Sequence, residues 1–146
     1  MKRLAPVVAV VVLGSLAVAC GGPSSPGALP RLEVESVSSG GFTGWVTRLE
    51  VWSDGRLVLD ENGVRRFGRA RSSTLEELRD AVSSSAFQQL APAYGTPGAC
   101  CDMPTTGIRV FRERGTQSVT VHPLADPPAP LERALRALHA LEESLR

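Results

Sequence analysis

From Arg31 onward the spacing of apolar and polar positions changes segment by segment, and each spacing predicts an element. Arg31-Leu-Glu-Val-Glu-Ser-Val37 alternates with period two, the pattern of a half-buried strand. A glycine-rich loop, Ser39-Gly-Gly-Phe-Thr-Gly44, follows. Trp45 to Asp60 then reads as a hairpin turning at Ser53-Asp54-Gly55. Its register follows from the faces. A two-residue Asp-Gly loop would pair Leu49 with Asp60 and mix apolar with charged positions. A three-residue loop with Gly55 in the left-handed region pairs Val51 with Leu57 and Leu49 with Leu59. It also sets Arg48 against Asp60 and Trp52 against Arg56, so one face is apolar and the other charge-matched.

Val64 to Arg71 is a further candidate strand. Ser73-Thr-Leu-Glu76 has the form of a capping box, and Leu75, Leu78, Val82 and Ala86 form one helical stripe behind it. Ser83 to Ser85 weaken that helix, and Phe87 is out of phase, which predicts a break there. Residues 91–105 carry Pro92, Pro97, Pro104, Gly95 and Gly98 and read as a long loop. A second hairpin spans Gly107 to His122. A turn at Arg114-Gly115 would pair Val110 with Val119 and Ile108 with Val121. Asp126-Pro127-Pro128 introduces a last helix with Leu131, Ala134, Leu135, Leu138, Leu141 and Leu145 on its apolar face. The order of strands, helix, strands, helix predicts an α+β domain: one antiparallel sheet of about four to five strands with two helices packed on one face.

The N-terminal stretch does not belong to that pattern. Lys2 and Arg3 precede a sixteen-residue uncharged apolar run, Leu4 to Ala19, which ends Ala17-Val18-Ala19-Cys20. A cationic start, an apolar middle and small residues before the cut are the layout of a secretory signal. Cys20 directly after that cut resembles the acylated cysteine of the bacterial lipobox, with Ala17 where Leu is usual. Gly21-Gly22-Pro23-Ser24-Ser25-Pro26-Gly27 reads as a flexible uncharged tether. The expected organisation is a signal peptide over residues 1–19, a lipidated tether over 20–30 and a folded domain over 31–146. Such a chain would be extracytoplasmic and held at a bacterial membrane through lipid on Cys20. An uncleaved anchor would need about 20 apolar residues, and this run is shorter. Signal cleavage with an incidental cysteine is the other alternative.

Charge narrows the partners. Without Lys2 and Arg3, the 16 basic residues fall to 14 Arg against 15 Asp and Glu, a net charge of −1. That balance argues against nucleic acid as a partner. No nucleophile elbow, zinc-protease helix or phosphate loop occurs, so the chain is expected to be non-catalytic and to hold no cofactor. Arg65, Arg66, Arg69 and Arg71 around Phe67 read as a charged, solvated edge strand rather than a phosphate-binding strip. Once Cys20 is acylated, the vicinal Cys100 and Cys101 remain as an even pair. Outside the cytoplasm they could close a strained disulfide, stay free, bond another chain, or form a thiol or metal site with Asp102 and His122.

The Gly40-Gly41-Phe42-Thr43-Gly44 loop is the favoured binding element. Its glycines allow close backbone approach or positive φ, and Phe42 is displayed among them. A plain turn, with Phe42 folded onto the sheet, is the alternative. At this loop the chain resembles the emfourin-type proteins, small proteinaceous inhibitors of thermolysin-like metalloproteases. The resemblance rests on the strand, the Ser39–Gly44 loop and the hairpin turning at Asp54-Gly55. It continues in the helix led by Ser73-Thr-Leu-Glu-Glu77, in Thr120-Val-His122, in Asp126-Pro127-Pro128 and in the Leu-rich closing helix, across about residues 32–143. It implies an interaction domain whose Gly40–Gly44 loop covers a protease cleft, with Phe42 in an apolar subsite. The export signal, the lipid cysteine and the Cys100-Cys101 loop depart from that pattern. An accessory or structural envelope lipoprotein is the second reading, and a thiol or metal-binding protein the third.

Overall fold

The elements of the described residues are, in order, β1 (Leu32–Gly40), β2 (Trp45–Trp52), β3 (Arg56–Glu61) and β4 (Val64–Arg69). They continue with α1 (Ser72–Ser83), α2 (Ser85–Gln88), β5 (Ala93–Tyr94), β6 (Thr105–Arg112), β7 (Gly115–Val121) and α3 (Ala129–Glu143). This is a computed structural model, and it describes residues 29–40, 44–97 and 104–146. All described strands join one seven-stranded sheet in the order β4-β3-β2-β1-β6-β7-β5.

Alternation fixes which face is covered. Val34, Leu49, Val51, Leu57, Leu59, Ile108, Val110 and Val119 are buried on one face. Leu75, Leu78 and Val82 of α1, Phe87 of α2, and Leu131, Leu138 and Leu141 of α3 complete that core. The helices thus cover one face of the sheet, as the apolar stripes predict except at Ala86, which lies exposed on α2 while Phe87 is buried, and the domain is α+β. The first hairpin has the expected register: Val51 pairs with Leu57, Leu49 with Leu59 and Arg48 with Asp60. Gly55 takes φ +80° there, as the three-residue loop requires.

Several expectations are corrected. The sheet has seven strands rather than four or five, and it is mixed, because β5 runs parallel to β7. β5 has two residues between Pro92 and Gly95, too few to carry a periodicity. A third helix, α2, occupies the predicted break; Ser84 ends α1, and its hydroxyl accepts from Phe87 N at 3.2 Å. The capping box at Ser73 is not formed, since α1 starts at Ser72 behind Arg71 with no side-chain cap. β1 extends through Ser39 and Gly40, so the glycine-rich loop is shorter than predicted. The second hairpin turns at Glu113-Arg114, pairing Ile108 with Val119 and Val110 with Gln117. Slipping a register by two keeps every side chain on its face, so alternation could not choose between the two pairings. Gln117 faces the helices, where its amide donates to Phe87 O at 2.8 Å and its Oε1 accepts from Arg112 at 3.0 Å.

The strand directions sort the loops into two ends. Arg31 enters β1 beside the β2–β3 turn, exchanging bonds with Ser53. The β6–β7 turn lies at this entry end, with Arg31 3.7 Å from Glu113. β1 then crosses the whole sheet; nine residues at about 3.3 Å each span about 30 Å. Its last residue, Gly40, pairs with Trp45 at the far end.

Candidate functional site

The far end gathers several chain reversals. Asn62 (φ +52°) and Gly63 (φ +87°) form the two-residue β3–β4 turn, whose double positive φ suits the sheet twist. Asn62 ties this turn to β2: Val46 N donates to its Oδ1 at 2.8 Å, and its own N donates to Val46 O at 3.0 Å. Asp60 accepts from Gly63 N at 2.7 Å and from Arg65 Nε at 3.2 Å. These two bonds hold its carboxyl below the ordinary value near 3.8. At this end β1 also meets β6, through the Ser39–Thr105 pair, and β5 reaches β7 through Tyr94–Val121. Gly95 and Pro104, from the segment predicted as a long loop, therefore both lie at the far end. His122 closes β7 there; its N donates to Tyr94 O at 2.8 Å and its O accepts from Ala125 N at 3.2 Å.

Gly40 and Gly44 flank the β1–β2 tip. Gly44 has φ +61° and nothing within 4 Å of where a Cβ would stand, so conformation rather than space calls for glycine. Gly41, Phe42 and Thr43 lie outside the described residues, as do Cys20, Cys100, Cys101 and Asp102. Among the described residues no group of three His, Cys, Asp or Glu is placed to hold a metal ion, and of the thiol or metal site expected from the sequence only His122 is described. No helix among the described residues is long and apolar enough to cross a membrane.

The face of the sheet opposite the helices is uncovered among the described residues, and it carries a cluster that the sequence did not disclose. Glu35, on β1, is 5% exposed although it faces this open side. Its Oε2 accepts from Arg109 at 3.0 Å, and Arg48 Nε stands 3.5 Å from its Oε1. Glu50, on β2, lies directly opposite Glu35, so the two arginines offset a like-charge apposition. Beside them Val37, Gly107, Ser118 and Thr120 line a depression of about 300 Å³. Arg109 is 74 residues from Glu35 in sequence, and only the β1–β6 pairing brings them together. Glu33, which alternation assigns to the same face, turns instead toward α1. A bulge between Leu32 and Val34 redirects it, and Arg79 binds its Oε2 at 2.8 and 3.0 Å. Further along this open face Arg56 stacks 4.9 Å from the Trp52 ring centroid, a cation–π pair that the expected register already implied.

The described residues thus offer a loop end framed by Gly40, Gly44 and Asn62-Gly63, a polar open face and two sheet edges. No protein-family model matches the chain, and no curated protein sequence matches it.

Proposed function

We propose that this is a lipid-anchored extracytoplasmic protein whose domain presents its far end to a protein partner, and that a secreted thermolysin-like metalloprotease is the partner class. The course of β1 carries the reading. A chain held at Cys20 reaches the domain at Arg31, and β1 then runs about 30 Å before the glycine-flanked β1–β2 tip. Gly40 and Trp45, which bracket the tip, pair at the end of the sheet opposite Arg31, and in this reading a soluble partner meets the tip there. The Asn62-Gly63 turn is bonded to β2 at Val46, one residue beyond the Gly40–Trp45 pair. In this reading Phe42 is the apolar anchor, and the flanking glycines let the backbone approach the partner.

The anchor is tested by mass spectrometry of the membrane-extracted protein. An acylated Cys20 N-terminus is expected, and an intact Met1 or an unacylated Cys20 refutes it. The partner class is tested by adding the detergent-extracted full chain to a thermolysin-like protease. Inhibition at micromolar concentration that is lost in Phe42→Ala is expected. Absence of inhibition at that concentration rejects the protease and leaves an accessory envelope role.

A further inference from the structure

The two edges of the sheet are finished differently. On one edge β5 covers only Thr120 and Val121 of β7, and the rest of β7, Gly115 to Val119, has no described strand beyond it and carries no charged residue. β4 closes the other with six residues, no proline and no bulge, and no described strand lies beyond it. Its outward groups can be identified. Ala70 N donates to Gly55 O at 2.9 Å, which extends the β3–β4 ladder by one bonded position. In an antiparallel pair the bonded positions alternate, so Val64, Arg66 and Gly68 turn their peptide groups toward β3. Arg65, Phe67 and Arg69 turn theirs outward, without a described strand to receive them. The same three residues project side chains onto the open face, in register with Asp60, Val58 and Arg56. Phe67 is 71% exposed there.

Charge on an edge strand hinders pairing with a like strand. Val64-Arg-Arg-Phe-Gly-Arg-Ala-Arg71 holds four arginines and no acid. A second copy added antiparallel would set arginine against arginine, which is unfavourable. An acidic strand would instead be drawn in. Arg65 gives one bond to Asp60 at 3.2 Å and Arg69 gives one to Asp54 O at 3.0 Å, and each guanidinium has five donors.

We propose that β4 is a docking edge for an extended acidic segment of another protein, added antiparallel as an eighth strand. Its alternate residues opposite Arg65, Phe67 and Arg69 would be acidic, apolar and acidic. This rests on the reading of the domain as an interaction module, but not on its β1–β2 tip.

The test titrates the isotope-labelled full chain, in detergent micelles, with a synthetic peptide whose core reads Glu-Thr-Val-Thr-Glu. The amides of Arg65, Phe67 and Arg69 are expected to slow in hydrogen exchange by about tenfold or more, because only they gain a bond. The amides of Arg66 and Gly68, already paired, keep their rates. Proline in place of the valine abolishes the effect, since it removes the central N–H. The double variant R65E/R69E weakens binding about tenfold and turns the preference to a lysine-containing peptide. Phe42→Ala leaves the titration unchanged, so loss of the tip reading and loss of this one are separable. No protection of the odd-numbered amides at millimolar peptide overturns the proposal. Equal binding of the proline peptide, or perturbation confined to the far end, does so as well.

Discussion

Replacing Arg109 by methionine and Glu35 by methionine should have unequal consequences, although each removes one half of the same bond. Glu35 has a side chain 7% exposed, whereas those of Arg109 and Arg48 are 59% and 50% exposed. R109M leaves a nearly buried carboxylate with only the 3.5 Å contact to Arg48. A lost hydrogen bond to a charged group costs about 1.5–3 kcal/mol, reduced here to about 1–2 because the guanidinium is half in water. E35M leaves two arginines that water can solvate and removes the apposition to Glu50, so its cost should stay within about 0.5 kcal/mol. The double variant E35M/R109M should be no worse than E35M alone, which is the signature of coupling. Urea unfolding followed by the fluorescence of Trp45 and Trp52 reads the differences. At about 4 °C per kcal/mol for a domain of this size, thermal unfolding should separate R109M from E35M by a few degrees. If E35M proves as destabilising as R109M, the carboxylate is not the group that needs its partners, and the reasoning from burial fails.

Gly44→Ala should cost about 1 kcal/mol and Gly44→Asn less, because the strain lies in φ +61° and not in space; equal costs for both in urea unfolding would contradict this. A Cβ on Gly68 would run into Leu145 Cδ2, the far end of a flexible side chain, so Gly68→Ala should turn that side chain aside and loosen the last residues beyond α3. Arg146, which bonds Glu142, Glu143 and Glu61, should then exchange faster. Leu145→Ala should relieve that effect, and a Gly68→Ala spectrum unchanged around Arg146 would refute it. Acid should loosen the turns on either side of β3. Asp54 is desolvated, which acts the other way, but its bonds to Arg56 N and side chain win, and its carboxyl, like that of Asp60, sits below the ordinary value near 3.8. A depressed folded value means stability that is full above the unfolded value and lost as pH falls through the folded one. The loss should therefore fall below about pH 4, and Asp60→Asn should shrink it; an acid transition unmoved by that variant would exclude Asp60 as a contributor.

Local pattern accounts for a large share of this fold. Leu49 and Val51 alternate with Arg48, Glu50 and Trp52, and Leu57 and Leu59 alternate with Arg56, Val58 and Asp60. A period of two permits only one buried face in each strand. The Asp54-Gly55 turn then left a single register in which both faces were coherent, and the hairpin has that register. The last helix was equally legible, because Leu131, Leu138 and Leu141 recur at helical spacing behind Pro127-Pro128. The second hairpin was legible only as far as its faces, since its two candidate registers differ by an even step and bury the same side chains. Of the candidate site, the flanking glycines and the Trp52–Arg56 pair could be read from the chain, whereas the Glu35 cluster could not.

The α+β class, the covered face of the sheet and the register of the first hairpin were written in the chain's own spacing. They depend on neighbours a few residues apart, whose period survives whatever the rest of the molecule does. The order of the strands came only with the folded sheet, and with it every feature made by distant residues. That order sets Arg109 against Glu35, adds β5 as a parallel edge and leaves β4 as an open one, while the bulge in β1 carries Glu33 to Arg79. Such pairings follow from how strands close over a shared core, and no local period records which strand will lie beside which.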